Sequence, residues 1–257
     1  MKRIVIALLA LVMVCSCVAC ANTTTTDEAK NPSASVEEST EASTSTSGTE
    51  EVTVMTYAEF VAAAVESKVC VETYVQAKQG WWEKEGQGVA TFYTQNEDGA
   101  YFIYEMPCTK AEYDQLTAGT KIRVNGYKAE WEGEVEIIDA TFEIIEDAEH
   151  YIVEAFDATA LLGTDELIAH QNELVAFNDM TVKEISYKND GGDDIYVTLT
   201  SNGADYSFCV EVYLTGTDSE VYTTVGTLKA GDVVNVQCFL YWYQGANPHI
   251  TAIALAE

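Results

Sequence analysis

Positive charge is what this sequence has least of. Among 257 residues 13 are Lys or Arg and 42 are Asp or Glu, for a formal net charge of −29 at pH 7. Losing Lys2 and Arg3 with a leader takes that from −29 to −31 and leaves Arg123 as the one arginine. Such a surface repels phosphate backbones and anionic headgroups, so nucleic acid is expected to be an unlikely partner. Histidine is scarce too: His150, His170 and His249 are too scattered to suggest a metal trio. No Ser, Cys or Lys has a base at a recognisable spacing, and no phosphate-binding motif stands out. The expectation is a protein that is not an enzyme and uses neither metal nor cofactor.

The apolar run Ile4 to Val14 is too short to span a bilayer, and it follows the basic pair Lys2 and Arg3. That is the plan of an export signal, so residues 1–20 are set aside from the fold. Behind it the ending Cys17-Val18-Ala19-Cys20 resembles a bacterial lipobox, with Cys17 where leucine is commonest and Val14 to Cys17 as a poorer second frame. The resemblance implies a lipid on Cys20, cleavage before it, and a chain tied to the lipid bilayer in the extracytoplasmic cell envelope. An ordinary secretory cleavage site is the competing reading. Residues 21–51 are Thr, Ser, Glu and Ala with almost nothing apolar larger than alanine. Such a stretch cannot bury enough surface to repay ordering, and reads as a disordered tether with a reach of roughly 30 Å.

Once the three leader cysteines are set aside, Cys70, Cys108, Cys209 and Cys238 remain. Export permits disulfides, but no spacing argues for a bridge, and four unpaired thiols are expected. Alternation with Val234, Val236 and Leu240 points Cys238 into a core.

A repeat organises what remains. Leu116-Thr-Ala-Gly-Thr-Lys-Ile-Arg-Val124 returns 112 residues later as Leu228-Lys-Ala-Gly-Asp-Val-Val-Asn-Val236. Each copy reads as a last helical turn, a glycine ending it, and an alternating strand. At the same offset Gly133 falls on Gly245, Ile138 on Ile250 and Ala140 on Ala252. The first copy opens with a helix capped by Thr56 and Glu59, in which Phe60, Val61, Ala64 and Val65 face one side. Strands follow at Val69 to Val75, Val89 to Tyr93, Tyr101 to Met106, Lys121 to Tyr127 and Val135 to Ile145, with a short helix at Thr109 to Leu116. The second copy gives strands at Leu174 to Tyr187, Ile195 to Leu199, Tyr206 to Tyr213, Val233 to Tyr243 and His249 to Leu255. A helix at Ser219 to Thr227 follows its third strand, and Thr164 to Ala169 forms a capped helix ahead of it.

Five strands with one helix between the third and fourth is the order of the OB-fold. The chain is therefore read as mainly β, two tandem OB-like five-stranded barrels, each preceded by a short helix, with domains at 52–148 and 149–257. This pattern resembles uncharacterised exported lipoproteins that carry OB-like domains.

Aromatic residues gather at the loops beside the usual OB binding face: Trp81 and Trp82 between the first two strands, Trp131 between the last two, and Tyr241, Trp242 and Tyr243 in the latter place of the second copy. Such rings stack on sugars or bases, or else seal the interface between units. Glu83 and Glu85 follow the tryptophan pair and Glu130 and Glu132 bracket Trp131, which suits sugar hydroxyls or a basic protein. A non-catalytic binding module for a glycan or protein ligand leads; a structural domain without small ligand and a nucleic-acid-binding OB protein are the alternatives. Asp190, Asp193 and Asp194 read as a solvated hairpin rather than a cation site.

Overall fold

The Ala-Gly junction shows why the chain folds the same way twice. In the computed structural model, residues 53–189 and 192–256 are described; the expected signal, Cys20, the tether and Asp190 lie outside them. Gly119 donates its amide to Val75 and Thr120 accepts that residue's amide at its carbonyl; Gly231 and Asp232 do the same with Val182. Each junction thus clips the start of a fourth barrel strand to the first. From sequence each of these glycines is expected to end a helix, but α-helical residues stop at Gln115 and Val225, several positions earlier. Each glycine is the third residue of a tight turn closed by Thr120 N–H to Thr117 and by Asp232 N–H to Lys229, with φ of 87° and 96°, the conformation a type II turn requires there.

The first barrel is built from β1 (Lys68–Lys78), β3 (Gln87–Gln95), β4 (Ala100–Pro107), β5 (Lys121–Trp131) and β6 (Glu134–Ile144), with the short β2 (Trp82–Lys84) added to β3. Its order β1-β5-β6-β4-β3 closes through β1–β3, and every pairing is antiparallel except β4 with β6. The second repeats this with β8 (Leu174–Tyr187), β9 (Ile195–Ser201), β10 (Ala204–Val210), β11 (Val233–Phe239) and β12 (His249–Leu255); the short β7 (Phe156–Asp157) joins β8. This is the closed Greek-key order of the OB-fold, so the protein is mainly β with two such barrels in tandem. Each has its own apolar core: Val71, Phe92, Ile103 and Ile122 in the first, Phe177, Val197, Phe208 and Val236 in the second.

Short helices precede the sheets. Thr56 and Glu59 form a capping box on α1 (Tyr57–Ala62), yet only Phe60 of that helix is buried. Val61 and Val65 stay exposed, because the helix ends at Ala62 before an apolar stripe can form. Thr109 and Glu112 cap α2 (Lys110–Gln115) in the same way, and Ser219 caps α4 (Glu220–Val225). At Thr164 to Ala169 the expected capped α-helix is instead a 3-10 turn at Leu167–His170, with another just upstream at Thr159–Leu161, and neither has a side-chain cap. Cys70, Cys108, Cys209 and Cys238 are free and buried. Burial pushes the Cys108 thiol up to about 11 and that of Cys209 to about 12.

The two barrels meet over a third apolar cluster of Tyr93, Phe102 and Phe239, with Leu174, Leu214 and Tyr241 packed against it. Tyr93 and Phe102 point outward from β3 and β4, which makes half of the first barrel's expected ligand face the seat of the second barrel. Tyr93 stacks on Phe239 at 4.5 Å, and its hydroxyl lies 2.8 Å from His249 Nδ1.

Candidate functional site

The uncovered half of that face forms a cleft, and a bulge explains its shape. On β4 Tyr101, Ile103 and Met106 enter the core, so the alternation slips by one residue after Ile103. Across from it the register jumps between Ala90 and Phe92, and Glu105 takes a φ of 45°. Two residues, Tyr104 and Glu105, therefore oppose the single Thr91, whose hydroxyl accepts the Glu105 amide at 3.1 Å. Bulges of this kind re-aim side chains, and this one sets Tyr104 and Glu105 side by side on the outer surface. The non-glycine residue in a left-handed conformation costs on the order of 1 kcal/mol.

A hairpin forms one wall. β2 turns back on β3 through Glu85 and Gly86, both at positive φ as a two-residue turn requires. Its Lys84 forms an ion pair with Glu105. The Trp81 ring lies under Gly88, where an added Cβ would sit 2.5 Å from it, and its indole N–H donates to the Cys108 carbonyl at 3.0 Å. Trp81 is thereby fixed, while Trp82 is left 46% exposed.

The other wall comes from the second barrel. The third strand expected to run through Tyr213 ends at Val210, and residues Val212–Thr215 turn into α3. The turn is held against the first barrel by Gly80 N–H to the Tyr213 carbonyl at 2.8 Å and by Gln79 Nε2 to Glu211 Oε2 at 2.9 Å. Burial pushes the Glu211 carboxyl up to about 7. The result is a cleft of about 510 Å³ between Trp82, Tyr104 and Tyr213, with Glu105 the one charged residue lining it among the described residues. Tyr104 is 42% and Tyr213 69% exposed.

The six aromatic candidates fall into two places. Trp81 and Trp82 line the cleft. Trp131, Tyr241, Trp242 and Tyr243 lie where the last loops of the two barrels touch. Trp131 packs on Tyr243 at 5.1 Å and both remain half exposed; Tyr241 stacks on His249 at 4.6 Å. The Trp242 amide donates to Glu134 Oε2 at 2.8 Å, and its ring approaches Gly133. Tyr104, Tyr213 and Thr91 escaped the sequence reading. Tyr104 gains its direction from an unforeseen bulge, and Tyr213 from a turn inside an expected strand.

No protein-family model and no curated protein matches this chain. Solved structures that resemble it include a murine DNA-binding protein bound with double-stranded DNA, at 11% identity over 73% of this chain and 95% of that one, TM-score 0.36. A HINa domain in complex with double-stranded DNA matches at 13% over 74% and 98%, TM-score 0.35. A Replication Protein A heterotrimer bound to single-stranded DNA matches at 11% over 75% and 49%, TM-score 0.30. These proteins are bound to DNA, and the expectation that nucleic acid is an unlikely partner is withdrawn. That exclusion came from net charge, a sum over the whole surface, whereas a ligand meets one cleft.

Proposed function

We propose that the protein is a non-catalytic recognition module, lipid-anchored through Cys20 outside the cell, which binds the rings of an extended saccharide between Trp82, Tyr104 and Tyr213. The observation that carries this reading is the three exposed rings around one cleft, since sugar faces stack on aromatic rings while hydroxyls bond to groups such as Gln79 and Thr91. Single-stranded nucleic acid is the second reading. Bases stack on the same rings, and the DNA-bound structures with a similar fold favour it.

Tryptophan fluorescence, with Trp81 and Trp82 as reporters, distinguishes the two in titrations with a panel of oligosaccharides and with oligothymidylate. Tyr104→Ala and Tyr213→Ala are each expected to weaken saccharide binding roughly tenfold without loss of stability, both rings being exposed. Oligothymidylate binding that weakens steeply with salt, with no saccharide response, would establish the second reading instead. Silence toward both would reject the cleft as a stacking site. Anchoring is tested by Cys20→Ala, which should release the protein from membranes or leave it unprocessed.

A further inference from the structure

Past Tyr104 and Glu105 the cleft opens into a second hollow of about 570 Å³, walled also by Lys84, Glu85, Glu136 and Asp139. Glu136 stands apart from the other acids here. It is 9% exposed, it lines the hollow, and among the described residues nothing bonds or ion-pairs with its carboxylate. Its direction follows from the strand: Glu136 pairs with Phe102 of β4 while Ile137 fills the core, so Glu136 must face outward beside Tyr104. Burial and the Glu105 charge push its carboxyl up to about 7. Glu134 on its own strand and Tyr241 from the second barrel also face it and supply no positive charge. Lys84, the one cation lining the hollow among the described residues, is already paired with Glu105. A carboxylate that is largely buried, meets solvent only at the hollow and has no partner is poorly solvated, and an arriving cation offsets that cost.

We infer that this hollow is an ammonium subsite, and that the ligand of the cleft is an oligosaccharide bearing a free ring amine, its apolar face on Tyr104 and its ammonium against Glu136. This rests on the saccharide reading above and names its substrate class. Hydroxyls alone would leave Glu136 without a counter-charge, whereas an ammonium donates hydrogen bonds and neutralises it together.

The test is calorimetric titration near neutral pH with a glucosamine hexamer and an N-acetylglucosamine hexamer, which share rings and linkage and differ in the amine. Wild type is expected to prefer the free amine by about tenfold or more, and Glu136→Gln to erase the preference while keeping its affinity for the acetylated chain. Equal affinity of wild type for both oligomers overturns the ammonium subsite and leaves the saccharide reading standing. Binding of neither oligomer overturns the ammonium subsite, while the oligosaccharide panel decides the saccharide reading separately. A hexalysine peptide that binds as tightly as the glucosamine hexamer also overturns the inference, because charge alone would then suffice. Should Glu136→Gln fail to fold, the wild-type preference decides the matter by itself.

Discussion

Glu134 is fully buried on β6, with Oε2 accepting the Trp242 amide and Oε1 without a partner. Asn172 beside it also has an unpartnered oxygen, its Nδ2 being used on the Val135 carbonyl. A proton on Glu134 Oε1 would supply the donor that both oxygens lack, and burial pushes this carboxyl up to about 8 from its ordinary 4.5. For an acid with a raised folded pKa the sign is clear: the folded state binds the extra proton, so stability is highest below 4.5 and is lost as pH rises through 8. Glu134→Gln mimics the protonated acid and is expected to stabilise the protein at pH 8 by on the order of 2–4 kcal/mol, and much less near pH 5. Urea unfolding at both pH values measures it, and equal effects would reject the buried proton. His249 works the opposite way. Burial lowers it from 6.5 to about 4, so its contribution is lost as pH falls between those values. Its Nδ1 is hydrogen-bonded to the Tyr93 hydroxyl, and Tyr93→Phe should cost roughly 1–3 kcal/mol in the same assay by leaving that nitrogen unpaired.

At the level of elements, two features of the strands matter most: the glycine turns that start the fourth strands and the bulge in β4. Gly119 and Gly231 share their turn and their partners, but an added Cβ at Gly119 would sit 3.1 Å from the His150 ring, whereas at Gly231 nothing lies within 4 Å. Gly231→Ala is therefore expected to cost about 1 kcal/mol from backbone strain alone, and Gly119→Ala more. Thermal unfolding that ranked them the other way would contradict this account. The bulge is harder to see in sequence, since Tyr104-Glu105 merely interrupts an otherwise regular alternation, and only the facing register around Thr91 shows which residue is extra.

On the scale of the whole molecule, the seam between the barrels couples them. Phe239 reaches from the second barrel onto Tyr93, so Phe239→Ala should cost about 3–5 kcal/mol and split unfolding into two steps that calorimetry resolves. Glu134, Glu136 and Glu211, all pushed above the ordinary range near this seam, make stability fall as pH rises from 4.5 toward 8. His249 opposes them over its lower window, which places the expected optimum on the acid side of neutrality, at about pH 5. The sequence by itself determined the repeat, both barrels, the Thr56–Glu59 capping box and the core position of Cys238, because these rest on alternation and short-range bonds written into neighbouring residues. The seam, the placing of Trp131 and Tyr241–Tyr243 at the barrel contact, and the cleft beside Tyr213 were decided only by tertiary structure. They depend on which outward face of one barrel meets the other, and alternation tells inside from outside without telling an open surface from a covered one.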